Sequence, residues 1–96
     1  MELHASDEEV ERQASQAEAL RIAQWIAGDL RAEMARQKRT GGELAEVLGI
    51  SAHTAGRRLK GDIPFDVIEL AAACDWLGIS LVDVVRRAQL PQVVAS

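Results

Sequence analysis

The stretch from Thr40 to Gly61, TGGELAEVLGISAHTAGRRLKG, constrains the fold more than any other part of the chain. Two short amphipathic helix patterns meet there at one glycine, and helices joined by so short a turn must cross steeply. Thr40 and Glu43 form a T-x-x-E capping box, which starts the first helix. Leu44, Val47 and Leu48 fall at i, i+3 and i+4 and are expected to be its buried face, while the small Ala45 lets a second helix approach. Gly49 supplies a left-handed residue to stop that helix, Ile50 returns to the core, and Ser51 caps a second helix running to about Lys60. On this second helix Ala52, Ala55 and Leu59 share one stripe. His53, Gly56, Arg57 and Lys60 lie opposite, so the inner face is small and apolar and the outer one cationic.

The flanking segments read as helices too. Ile22, Ile26, Leu30 and Met34 follow one another at i+4 steps and predict a helix ending near Lys38. Ser6 with Glu9 and Ser15 with Glu18 are both S-x-x-E boxes, so this helix starts at either place or two helices meet between them. Downstream, Pro64 stiffens a connection and Asp66 with Glu69 caps a helix that buries Leu70, Ala73, Cys74 and Leu77 before Gly78. Ser80 caps a last helix with Leu81, Val84 and Val85 inward, and Pro91 ends it. No alternating β-branched run suggests a strand. The fold class expected is all-α: five helices, with an acidic, helical N-terminal extension at 1–17, the domain proper at 18–90 and a tail at 91–96.

Leu44-Ala45, Gly49-Ile50-Ser51 and the closing Gly61 resemble the helix-turn-helix of the lambda-repressor-like (Cro/C1-type, XRE) DNA-binding domains of bacteria and phages. PFDVIELAAACDWLGISLVDVV resembles the fourth helix, glycine turn and fifth helix of that domain, so the likeness covers roughly Ile22 to Ala88. It implies a sequence-specific regulator of transcription, a small phage or bacterial repressor that reads an operator in double-stranded DNA as a homodimer. The chain departs from the family pattern at three places. Ala55 stands where a larger β-branched residue is usual, Arg58 where an apolar one is usual, and Gly41-Gly42 replace a residue that often touches phosphate.

A net charge of −4 opposes DNA binding, but its distribution does not. Residues 1–30 carry −5, residues 31–60 carry +4 and residues 61–96 carry −3, so the cations sit on the motif. In the major groove, His53, Thr54, Gly56 and Arg57 are expected at the base edges. Arg57 is the strongest of these, because a guanidinium that pairs with guanine O6 and N7 discriminates by about 1–3 kcal/mol. Gly56 costs the helix on the order of 1 kcal/mol against alanine, which either reflects close approach of backbone to DNA or is simply tolerated. Arg36, Lys38, Arg39, Thr40, Ser51, Arg58 and Lys60 are expected to position the module on phosphates.

One copy reads few base pairs, so a two-fold dimer on half-sites about one helical turn apart is expected. Trp76, Leu81, Val85, Val93 and Val94 are its candidate contacts. Trp76 lies off the buried stripe of its helix, and a cover for the core edge is the commoner role of such a tryptophan. The acidic extension is a solvated arm, a protein or dimer contact, or a polyanion that competes with DNA for the basic face. Catalysis is not expected. Gly56 to Gly61 has phosphate-loop glycine spacing but closes a helix instead of opening one, and His4, His53 and the lone Cys74 lack metal-ligand spacing. No cofactor or metal is implied. Without an apolar leader or a membrane-length run, and with a single cysteine, a cytoplasmic location is expected. The competing reading is a protein-interaction module, antitoxin-like, in which the same fold binds a protein.

Overall fold

The computed structural model describes residues 6–90, and within them the chain is five α-helices without a strand. They are α1 (Asp7–Arg36), α2 (Gly41–Leu48), α3 (Ala52–Lys60), α4 (Val67–Leu77) and α5 (Leu81–Gln89). Each helix starts at a residue whose side-chain oxygen accepts a backbone N–H three residues on: Ser6, Thr40, Ser51, Asp66 and Ser80. At Thr40 and Asp66 the reciprocal glutamate bond is also present, so both capping boxes form. Gly49, Gly61 and Gly78 close α2, α3 and α4 at φ 67°, 82° and 69°, where a Cβ would clash with the following carbonyl.

The ambiguity at the N-terminus resolves as one helix of 30 residues that begins at Ser6 and runs through Ser15. Nothing between them breaks it, since neither glycine nor proline occurs before Gly28. Residues 6–20 are exposed throughout, so the first half of α1 stands clear of the domain, and only the second half is core. The helix ends two residues earlier than expected. Lys38 sits at φ 57°, and the N–H of Arg39 bonds the carbonyl of Met34 at 2.8 Å, a Schellman-type close that normally uses glycine.

The core gathers Ile26, Leu30 and Met34 of α1, Leu44 and Ala45 of α2, Ala55 of α3, Leu70, Ala73, Cys74 and Leu77 of α4, and Val84 and Ala88 of α5. The small Ala45 and Ala55 allow α2 and α3 to pack closely, and α1 lies against both α3 and α5. Two expected core positions differ. Val47 is exposed and Leu48 half-buried, so α2 buries Leu44 and Ala45 instead; Ala52 is exposed, leaving Ala55 as the buried residue of α3. α2 packs on α3 and α4, and α3 on α2 and α1; both helices are so short that their terminal turns reach the surface. Val93 and Val94 lie outside the described residues.

Candidate nucleic-acid interface

The turn between α2 and α3 is fixed by local bonds. The Ile50 N–H reaches the Ala45 carbonyl at 3.0 Å across Gly49, and the Ser51 hydroxyl accepts the Thr54 N–H at 3.1 Å while donating to Thr54 Oγ1 at 2.9 Å. Ser51 and Thr54 thus form one unit at the N-terminus of α3. Beyond it, His53, Arg57 and Lys60 are exposed on the side away from the core. Gly56 lies between them, and a Cβ added there would meet nothing within 4 Å.

A local capping bond and contacts from α1 and α4 fix the far end of α3. Arg31 of α1 donates to the Leu59 carbonyl, placing a cation at the negative end of the helix dipole. The Asp62 N–H bonds the Arg57 carbonyl at 3.1 Å. Arg58 donates through Nε and an Nη to the two oxygens of Glu69, at 2.9 and 3.3 Å, with side-chain exposures of only 17% and 11%. Glu69 also accepts the Asp66 N–H at 2.9 Å as part of the α4 capping box. Arg58, assigned to phosphate from sequence, is therefore turned inward to lock α3 to α4. Its Cα lies between the two faces of α3, and the carboxylate that captures it is 11 residues away.

The other cations divide similarly. Arg36 pairs with Glu33, and Glu33 also accepts from Gln37, which reaches on to the Leu77 carbonyl at 2.7 Å. Those bonds from Gln37 and Arg36 hold the Glu33 carboxyl below its ordinary pKa. Arg39 lies over the Trp76 ring at 5.0 Å and 3.6 Å from Glu43. Trp76, half-buried against the core and covered by this guanidinium, is occupied within the domain rather than free for a dimer contact. The Thr40 backbone N–H, then its hydroxyl, lower the Glu43 pKa, with Arg39 adding to both. Among the described residues, Lys38, Arg57 and Lys60 are the cations of the 31–60 stretch whose side chains make no ion pair or hydrogen bond. Arg57 and Lys60 stand one turn apart on the outer face of α3, beside His53.

Leu81 and Val85, the other dimer candidates, line a shallow apolar groove on α5 with Val82, Arg86 and Gln89. Among the described residues no group of His, Cys, Asp and Glu could hold a metal ion, and no helix is long and apolar enough to cross a membrane.

With this geometry in place, comparison with known proteins fixes the family. The BetR domain model matches residues 13–90. The chain belongs to the BetR domain family. The match opens inside α1 and ends just past α5, so it takes in the packed domain and about half of the exposed arm. A solved structure, that of the clp gene regulator ClgR from C. glutamicum, is similar at 28% identity and a TM-score of 0.63, covering 70% of this chain and 87% of that one. No curated protein matches.

Proposed function

We propose that this BetR-domain protein is a transcription regulator that binds double-stranded DNA sequence-specifically, with α3 in the major groove. The observation that carries the reading is the outer face of α3. His53, Arg57 and Lys60 stand exposed there, with both cations free of ion pairs, on a helix whose opposite side is pinned by Ala55 and the Arg58–Glu69 pair. His53 and Arg57 reach base edges, Thr54 and the open surface at Gly56 lie alongside, and Lys60 meets phosphate. Thr40, Lys38, Arg36 and the first N–H groups of α2 position the domain on the backbone, with Ser51 doing the same at α3. The family and the likeness to a gene regulator support this reading. The Cro/C1-type repressor assignment rests on the sequence resemblance alone, over roughly Ile22 to Ala88, and the two-fold dimer on the need to read enough base pairs.

Selection from a randomised duplex library tests it. An enriched site with two-fold symmetry is the expected result; no enrichment over several rounds refutes the reading. A protein-interaction role is the second reading, favoured by the exposed, acidic first half of α1, about 20 Å long at the helical rise. Under that reading selection enriches nothing.

A further inference from the structure

The outward face of α4 is apolar where a solvated helix is ordinarily polar. Val67 and Ile68 are 77% and 81% exposed, more than any other large apolar side chain described, and Ala71 is exposed one turn on. At the α-helical pitch Val67, Ala71, Asp75 and Ile68 fall within one arc of about 100°. Leu70, Ala73, Cys74 and Leu77 lie opposite and are buried, where α4 packs on α2 and α5. An apolar patch with a polar rim marks a protein contact, and three side chains suit a weak, reversible one.

The rim says what chemistry covers the patch. Asp62 and Asp66 are exposed at its N-terminal end and Asp75 at the other. None of the three makes an ion pair among the described residues. No Lys or Arg occurs from residue 61 to residue 85, and the cations that reach α4 from other elements are engaged: Arg58 by Glu69, Arg39 by Glu43 and the Trp76 ring. Phosphate, whether of DNA or of a lipid headgroup, is repelled there. The same face of a second copy brings the same carboxylates and no cation to meet them. The complementary occupant is cationic at both ends and apolar between them. An α-helix supplies that pattern over about three turns, with apolar residues at i and i+3 or i+4 and Lys or Arg a turn beyond on either side.

We propose that the outward face of α4 docks a basic amphipathic helix of a partner protein, with Val67, Ile68 and Ala71 under its apolar side chains and Asp62, Asp66 and Asp75 pairing with its Lys or Arg. The surface lies on a different helix from the outer face of α3, so the proposal does not rest on the DNA reading. The test pans a display library of random peptides about 16 residues long, some four helical turns, over the full chain after depletion on its Val67→Ser/Ile68→Ser variant. Recovered peptides are expected to carry Lys or Arg on both sides of apolar residues at helical spacing. Made synthetically, they should bind wild type at least ~10-fold more tightly than the variant and gain helicity on binding. Asp62→Asn/Asp75→Asn should weaken binding and flatten its salt dependence. Both variants change exposed side chains and are expected to melt with wild type. Recovery of no patch-dependent peptide overturns the proposal, as does a set of neutral or acidic peptides whose binding ignores the aspartate substitutions. Self-association of the free chain in sedimentation that Val67→Ser/Ile68→Ser abolishes assigns the face to a second copy and overturns it too.

Discussion

Replacing Gly56 by alanine separates the fold from the function, because the two respond with opposite signs. Gly56 is the fifth of nine residues in α3, its φ is not positive, and an added Cβ meets nothing within 4 Å. The substitution therefore costs no steric energy. It removes the entropy that glycine loses in a helix, stabilising the domain by about 0.5–1 kcal/mol. For a domain of this size the melting temperature should rise by roughly 2–8 °C. On DNA the same methyl group projects from the surface proposed to face the groove, between His53 and Arg57. If the α3 backbone approaches the duplex there, the methyl must displace it, and Kd on the selected site should rise at least ~10-fold, the equivalent of ~1.4 kcal/mol. Circular dichroism melting and fluorescence anisotropy on one preparation read both effects. A higher melting temperature with unchanged affinity would refute the close approach and leave Gly56 as simple tolerance. A lower melting temperature would refute the packing argument itself.

Three further outcomes follow from the contacts. Glu69→Ala strands the half-buried Arg58 and removes the α4 capping bond, so it should destabilise by about 2–4 kcal/mol in urea unfolding, whereas Arg58→Met with Glu69→Leu should recover most of the loss; equal losses in both variants would contradict the lock. Lys38→Gly should stabilise by roughly 0.5–1 kcal/mol, because it relieves a left-handed lysine at the end of α1, and an unchanged or lower unfolding midpoint counts against that account. Burial, then the nearby Asp29, pushes the Cys74 thiol pKa up while Arg87 opposes. A folded-state pKa above the unfolded value means the native thiol resists ionisation and its stabilising effect fades as pH rises into the alkaline range; alkylation at pH 8 should accordingly track unfolding, and rapid alkylation of the native chain would show the site to be open.

Much of the fold was legible because it is written in short-range chemistry. Ser6, Thr40, Ser51, Asp66 and Ser80 each bond a backbone N–H three residues on, and Gly49, Gly61 and Gly78 each take the left-handed angle, so spacing alone locates most helix ends. The end of α1 escaped because Lys38 carries no glycine signal. Arg58 escaped for a different reason. Its partner Glu69 belongs to the next helix, and periodicity within α3 says nothing of a carboxylate brought there by tertiary packing. Arg31 is similar, since the Leu59 carbonyl it reaches is a backbone group with no sequence signature. Val67 and Ile68 were silent because they lie in the first turn of α4, ahead of the Leu70–Leu77 stripe, where nothing in the spacing says that two apolar side chains stay exposed. Of the candidate site, the exposure of His53, Arg57 and Lys60 followed from their stripe on α3, while the pairing of Arg36, Arg39 and Arg58 with acids did not.

The central claim, that the outer face of α3 reads DNA, is tested most directly by titrating wild type and the His53→Ala/Arg57→Ala variant against the selected duplex and a scrambled one. The titrations are repeated at several salt concentrations. The account predicts a clear affinity gap between the two duplexes for wild type and a steep loss of affinity with salt. It predicts collapse of the gap in the variant, with helical content unchanged and weak, salt-sensitive binding remaining through Lys60 and Lys38. A gap that survives the double substitution would place the reading face elsewhere and contradict the account.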